Sequence, residues 1–235
     1  ITSYFEYPIQ LQLTFAQADS SSVTLNWSDM KLHTCGGSYP CSFFCPATEQ
    51  AHKNIGRLSR QCTKYSSSTF YINDSDTIPE NSPLLFDYHT YNALSGAKTS
   101  TYLSGSRNAL NQLGYSLTNT TGYSASTIRS YLKSHWLIYL SGTDYSSGNA
   151  VGHGWVIDGY NDQECHIYSH ITEPPSIIVT HKHYNHINWG WYGYFNGYFY
   201  DGVFAIGNAH SYDNYKHYPD SADYSYNLQI FGVHL

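Results

Sequence analysis

Two short segments in the second half of the chain carry the residues best suited to proton transfer. In Val151-Gly152-His153-Gly154-Trp155-Val156-Ile157-Asp158-Gly159-Tyr160 an imidazole stands between two glycines ahead of a β-prone run. In His186-Ile187-Asn188-Trp189-Gly190-Trp191-Tyr192-Gly193 an amide precedes two tryptophans. A nucleophile such as a thiol needs a base to take its proton, and the base needs a third group to fix its tautomer and orientation. Histidine suits the base because it titrates near neutral pH. His153 is therefore the candidate base and Asn188 the candidate orienting group. Trp189 and Trp191 would cover the bond between them and keep water out, which strengthens it. The glycines flanking His153 allow close backbone approach, so Gly152 is a candidate contact for a substrate main chain, as is Trp191.

These residues need two strands to bring them together. Trp155 to Ile157 reads as a buried strand, with Asp158-Gly159 as its turn. Tyr184 to Trp189 reads as a second strand. Paired antiparallel, they would set His153 beside Asn188. Ahead of them the pattern is helical. Ile1 to Tyr7 reads as the tail of a helix stopped by Pro8, and Glu49 to Cys62 is amphipathic. Ser106 or a neighbour can cap a helix that ends at Gly114, and Ser126 can cap another with Ile128, Tyr131 and Leu132 on one face. Strands follow at Leu137 to Leu140, Gly154 to Asp158, Cys165 to Tyr168, Tyr184 to Trp189, Gly197 to Ile206 and Tyr226 to Val233. Helices first and antiparallel strands after is an α+β pattern.

The 235 residues suit one large domain or two lobes of one. Charged residues make up 12% and the net charge is −6, with no basic stripe, which argues against nucleic acid as a partner. No apolar run is long enough to span a membrane. The chain opens on Ile1, so it is expected to be a processed form or a fragment, with any signal peptide upstream. Low charge with abundant Tyr, Ser, Asn and Thr fits a secreted or cell-surface protein.

The two segments resemble the streptopain family (peptidase family C10), whose members read roughly G-G-H-A-F-V-I-D-G and then H-V-N-W-G-W-G-G. Further along, Leu25-Asn26-Trp27 resembles the family's Y-N-W, Arg107 to Tyr115 its helix ending in F-G-Y, and Tyr226 to Ile230 its last strand. Ile1 to Pro8 resembles the end of the family's central helix, which begins G-C-V-A-T-A. At about 1.5 Å per residue, that match puts the nucleophilic cysteine about eight residues before Ile1, roughly 12 Å back along the helix, at an end whose dipole favours a thiolate. The chain departs from the pattern at Val151, Trp155 and Tyr192. A polar insertion runs from about Ser66 to Leu94, and a His- and Pro-rich one from about Ser169 to His183.

The resemblance implies a papain-like cysteine protease architecture, a helical part packed on a C-terminal antiparallel β-sheet. It implies one peptidase domain over residues 1–235, truncated at its N-terminus, helical to about 135 and β-rich from about 136. It implies a cysteine endopeptidase acting on protein or peptide substrates, with no cofactor or metal, and a propeptide or inhibitor domain as a further partner. Lacking the nucleophile, the chain alone is expected to be inactive. A C39-like peptidase fits G-H-x-W-V-I-x-G-Y, but the N-W-G-W run argues against it. A catalytically inactive relative, or a carbohydrate-binding β-module with exposed aromatics and no His held by Asn, are the readings from other classes.

Cys35, Cys41, Cys45 and Cys62 cluster, and Cys165 stands alone. Some of the cluster is expected to form disulfides. A zinc knuckle of His33, Cys35, Cys41 and Cys45 matches no strong spacing. Cys45-Pro46-Ala47-Thr48 resembles C-V-A-T superficially but falls in a loop. Cys62 follows Ala51, Ile55 and Leu58 at helical spacing and reads as an apolar position. His181, His183 and His186 read as a solvated loop rather than a metal site.

Overall fold

The computed structural model describes residues 98–169, 176–190, 195–213 and 222–235 continuously; before residue 98 it describes only 5, 8, 10–12, 22–26, 58, 61–62, 65–66, 69–71 and 77–78. The expected helix over Ile1 to Tyr7 lies outside these residues except for Phe5, which is helical. Cys35, Cys41, Cys45, the Leu94 end of the first insertion and Trp191 lie outside them as well. Of Glu49 to Cys62, Leu58, Gln61 and Cys62 are described and are helical. Cys62 is a free thiol whose burial pushes its pKa up to about 12.

The chain divides into two compact units, residues 1–117 with Leu235, and residues 118–234. In the first unit, β1 (Gln10–Gln12) pairs antiparallel with β2 (Ser22–Thr24), and β3 (Thr69–Tyr71) pairs antiparallel with both β4 (Thr77–Ile78) and β5 (Lys98–Ser100). Helix α1 (Leu103–Gln112) follows, then β6 (Ser116–Leu117). Tyr102, not Ser106, is the N-cap of α1, and no side chain caps it. The expected end holds: Leu113 caps the helix and Gly114 follows at φ +92°, the left-handed conformation glycine adopts without strain.

The second unit holds β7 (Thr121–Gly122), helix α2 (Ala125–Lys133), β8 (Leu137–Asp144), β9 (Val151–Ser169), β10 (Ser176–Asn188), β11 (Gly197–Tyr200), a 3₁₀ turn (Ile206–Asn208), β12 (Ser211–Tyr212) and β13 (Tyr226–His234). Its sheet runs in the order β12-β11-β10-β9-β8-β13, with β7 also on β13, and these pairings are antiparallel. The N-cap of α2 is Ser124, two residues before the expected Ser126. Its hydroxyl accepts from Thr127 N–H at 3.3 Å. Ile128 and Leu132 are buried on one face, as the spacing predicts, and join Ile138, Leu140, Trp155, Ile157, Ile187, Trp189, Phe199 and Phe204 in one core. Burying each such side chain stabilises the fold by about 1.5–3 kcal/mol. This packing ties α2 to the sheet within the second unit.

Two expectations about the central strands are corrected. Asp158-Gly159 is not a turn, because β9 continues through it to Ser169. Ile157 faces Ile187 and Gly159 faces His186, so Asp158 is the extra residue of a β-bulge. The His- and Pro-rich insertion is not wholly loop, because Ser176 to His183 is strand. That stretch pairs with Asp162 to Ser169 and, among the described residues, with nothing else. At about 3.3 Å per residue this two-stranded ribbon projects roughly 26 Å. Helix α2 braces its root. Arg129 bridges to Asp162 at 3.2 Å and Asp201 at 3.5 Å and lies over the Tyr160 ring.

Gly142 of β8 lies directly opposite His153. A Cβ there would sit 2.1 Å from the Tyr224 carbonyl oxygen, which is backbone, whereas a Cβ on Gly152 would meet nothing within 4 Å. Gly142→Ala is therefore expected to destabilise the second unit by about 1–3 kcal/mol. Gly152→Ala is expected to be neutral or to stabilise by up to about 1 kcal/mol. Urea unfolding of the two variants beside the parent checks both, and equal midpoints would contradict the packing around Tyr224.

Candidate active site

His153 lies on β9 and Asn188 at the end of β10, neighbouring antiparallel strands as the pattern predicts. The register pairs Asn188 with Val156. Since side chains alternate along a strand, Asn188 shares the Val156 face, and His153 points to the opposite face with Trp155. The expected Asn188–His153 hydrogen bond is thus not the one formed. His153 Nε2–H donates instead to the Trp189 main-chain carbonyl at 2.9 Å. A carbonyl only accepts, so the proton is on Nε2 and Nδ1 carries the lone pair in the neutral ring. The fixed partner does for the imidazole's tautomer what an amide side chain was expected to do.

Asn188 acts one step removed. Its Oδ1 accepts from Gly190 N–H at 3.0 Å, an Asx-turn across Trp189. Gly190, at φ +78°, adopts the turn conformation that glycine allows without strain. Gly190 N–H and Trp189 C=O belong to one rigid peptide plane. Asn188 therefore holds the plane whose carbonyl holds His153.

Aromatic rings wall the imidazole. Trp155, Trp189 and Tyr224 lie with centroids 6.1, 6.3 and 5.3 Å from its ring, the two indoles stacked at about 20°. Trp155 and Trp189 touch at 4.9 Å and are fully buried. Trp189 thus meets His153 with its carbonyl as well as its indole, and the Asn188–His153 bond it was expected to cover is replaced by its own carbonyl's bond. Tyr224 had no signal in the sequence. It arrives because Asp144 accepts from Asp223 N–H at 3.1 Å and Tyr224 N–H donates to the Phe204 carbonyl at 3.1 Å. Gly152 is exposed on β9 opposite Thr143. Burial lowers the His153 pKa from its usual 6.5, and the Trp189 hydrogen bond only partly opposes this, so the ring is neutral near pH 7.

A second imidazole has the opposite surroundings. His186 Nδ1 lies 2.5 Å from Asp158 Oδ1, and its Nε2 lies 3.0 and 3.1 Å from the Asp213 carboxylate oxygens. Burial works to lower its pKa, but the hydrogen bond and charge of Asp158, then those of Asp213, outweigh it and hold it above 6.5. The bulge turns Asp158 toward this ring. His181 and His183 are exposed strand residues paired with Glu164 and Asp162, not loop residues. Among the described residues no cluster of three or more His, Cys, Asp or Glu is arranged to hold a metal.

The fold has a solved counterpart. The structure of active wild-type interpain A cysteine protease from Prevotella intermedia is similar over 98% of this chain and 77% of that chain, with a TM-score of 0.52 and 21% identity. At that identity the likeness is one of fold. No curated protein matches the chain. The model of the peptidase C10 family matches residues 1–199. The chain belongs to the peptidase C10 family, a family of cysteine peptidases.

The two histidines affect stability with opposite sign. The folded pKa of His153 lies below 6.5, so as pH falls below 6.5 the unfolded chain binds more protons and the folded state loses stability. The folded pKa of His186 lies above 6.5, so its contribution is fully present below 6.5 and is lost as pH rises through the folded value. His153→Gln is expected to flatten the acid limb of the stability–pH curve, and His186→Gln the limb above 6.5. Urea melts over roughly pH 4 to 9 resolve the two limbs; an acid limb unchanged in His153→Gln rules out the depressed value.

Proposed function

We propose that this protein is a cysteine endopeptidase that cleaves peptide bonds in protein or peptide substrates, with His153 as the base of a Cys–His pair. The observation that carries the reading is the His153 Nε2–H bond to a fixed main-chain carbonyl beneath two buried indoles. That bond leaves Nδ1 as the nitrogen able to take a thiol proton. The resulting thiolate adds to the substrate carbonyl, and the imidazolium keeps its Nε2–H bond and returns the Nδ1 proton to the leaving amine. Water, deprotonated by the same ring, then hydrolyses the thioester and frees the thiol.

The nucleophile in this reading is the cysteine that the family resemblance places before Ile1. The two free thiols among the described residues fit the role poorly. Burial pushes the Cys62 thiol up to about 12, which suppresses the thiolate. Cys165 lies on the ribbon, twelve positions along β9 from His153, roughly 40 Å at strand rise. Gly152 and Trp191 are proposed to line the substrate path. We place the protein outside the cytoplasm on its low charge content. On the sugar-binding alternative, Trp155, Trp189, Phe199 and Phe204 are packed in the core and out of a sugar's reach, and the exposed aromatics are tyrosines such as Tyr145, Tyr160 and Tyr200.

In a protein extended upstream to include the family's G-C-V-A-T-like segment, cleavage of a fluorogenic peptide is expected to be abolished by thiol alkylation. His153→Ala should lower kcat by about 10⁴–10⁶. Alkylation-sensitive activity in the 235-residue chain itself would overturn the assignment of the nucleophile and promote Cys45.

Because Asn188 acts through the Trp189–Gly190 plane, Asn188→Ala in the active enzyme is expected to lower kcat by about 10–100-fold with a smaller change in KM. Asn188→Asp, which keeps an acceptor for Gly190 N–H, should retain most of the rate. Equal losses in the two variants would refute the indirect role.

A further inference from the structure

We propose that Asn196 is a positioning residue for His153, acting through the main chain of Trp189. The inference rests on the peptidase reading, since it names the group that keeps the base in register.

Trp189 is the hinge of the site, because its carbonyl holds the imidazole. Two torsions at its Cα decide where that carbonyl points, and they are fixed only when the peptide planes on both sides are held. The plane after Trp189 is held by Asn188 through Gly190 N–H. The plane before it is held by Asn196, whose side-chain Oδ1 accepts from Trp189 N–H at 2.9 Å. With both planes clamped and the indole fully buried, Trp189 has no freedom left to swing its carbonyl away from His153.

Asn196 is itself anchored. It is 2% exposed, so water does not compete for its bond to Trp189. Its carbonyl accepts from Asp213 N–H at 2.9 Å. The next residue, Gly197, pairs with Tyr212 and lies so close to β12 that a Cβ would come within 2.1 Å of the Ser211 carbonyl oxygen. The site thus runs as a chain of fixed contacts from β12 to Asn196, to the Trp189 main chain, to His153 Nε2. Asp213, beside the Asn196 carbonyl, also holds His186, so the same segment carries both imidazole environments.

The test reads the imidazole directly. In the 235-residue chain labelled with ¹⁵N-histidine, with His153 assigned by its loss in His153→Gln, His153 is expected to show the single Nε2–H tautomer above its pKa. Asn196→Leu and Asn196→Ala, which remove the acceptor, should collapse this into averaged tautomer signals. Asn196→Asp keeps an acceptor oxygen and should restore the parent pattern. The proposal is overturned if either acceptor-free variant, folded by its amide dispersion, keeps the single tautomer. It is equally overturned if Asn196→Asp loses the tautomer as they do. If both acceptor-free variants unfold while Asn196→Asp is parental, Asn196 serves the fold alone and the proposal fails. The readout needs no turnover. A chain that cleaves nothing still tests Asn196, and an active extended enzyme whose His153 tautomer ignores Asn196 refutes this inference without touching the peptidase reading.

Discussion

The register between β9 and β10 is the constraint on which the rest depends. Side chains alternate along a strand, so a slip of one residue moves a whole hydrophobic set to the wrong face. On the site side of the Asp158 bulge, Trp155 and Ile157 share a face with Ile187 and Trp189, and His153 joins them. Beyond the bulge the pairing is displaced by one residue, and the ribbon carries Asp162, Glu164, His181 and His183 toward solvent. The bulge thus lies between the core-packed segment and the ribbon, with Tyr184 and Asn185 still buried just beyond it. It also leaves Asp158 unmatched in the ladder, where its carboxylate meets His186. Gly159 suits the position opposite His186, because even a methyl group there would sit 3.2 Å from the His186 Cβ.

The same sheet gives two imidazoles opposite characters by choice of partner. His153 is buried against a neutral carbonyl and aromatic rings, so its charged form is penalised. His186 is comparably shielded but flanked by two carboxylates, so its charged form is favoured. The contrast has a functional logic. A base must begin neutral to accept a proton, and a main-chain carbonyl can orient it without drawing a charge onto it. A carboxylate in the place of that carbonyl would raise the pKa of the ring and favour its charged form. The His186 cluster uses that effect to bind strand, bulge and the segment after β12 together.

The histidine segment was legible because glycine, imidazole and a β-branched run coincide within ten residues, and the strand pairing followed from two such runs. Helix α2 was legible from the spacing of Ile128 and Leu132, and its start was misread because two serines two residues apart can both serve as caps. Asp158-Gly159 was misread for a physical reason: the residue types that favour a tight turn also favour a bulge, and only the partner strand decides between them. The role of Asn188 was misassigned because sequence supplies side chains and the true acceptor is a backbone carbonyl, present at every residue and therefore invisible as a motif. Asn196 and Tyr224 were missed because their work depends on long-range pairing. One is set by β11 against β12, and the other by a buried carboxylate, Asp144, that bonds the residue before it from seventy-nine residues away in sequence.

That last dependence bears on what a family match can and cannot carry. The part of the chain that matches the peptidase C10 family ends at residue 199. Yet Tyr224, which closes the third side of the imidazole pocket, and β13, which lies against β8 in the sheet, come after it. Asp213, which anchors both Asn196 and His186, comes after it too. The motif and two of its walls, Trp155 and Trp189, thus lie within the match, while the third wall, Tyr224, comes from sequence beyond it. Burial is the largest influence on the His153 pKa. It follows that the motif fixes which atom of the imidazole faces the carbonyl, and the segment after residue 199 helps set how readily that imidazole takes a proton. Two chains with the same motif and different closing segments would therefore orient this imidazole alike and differ in its pKa.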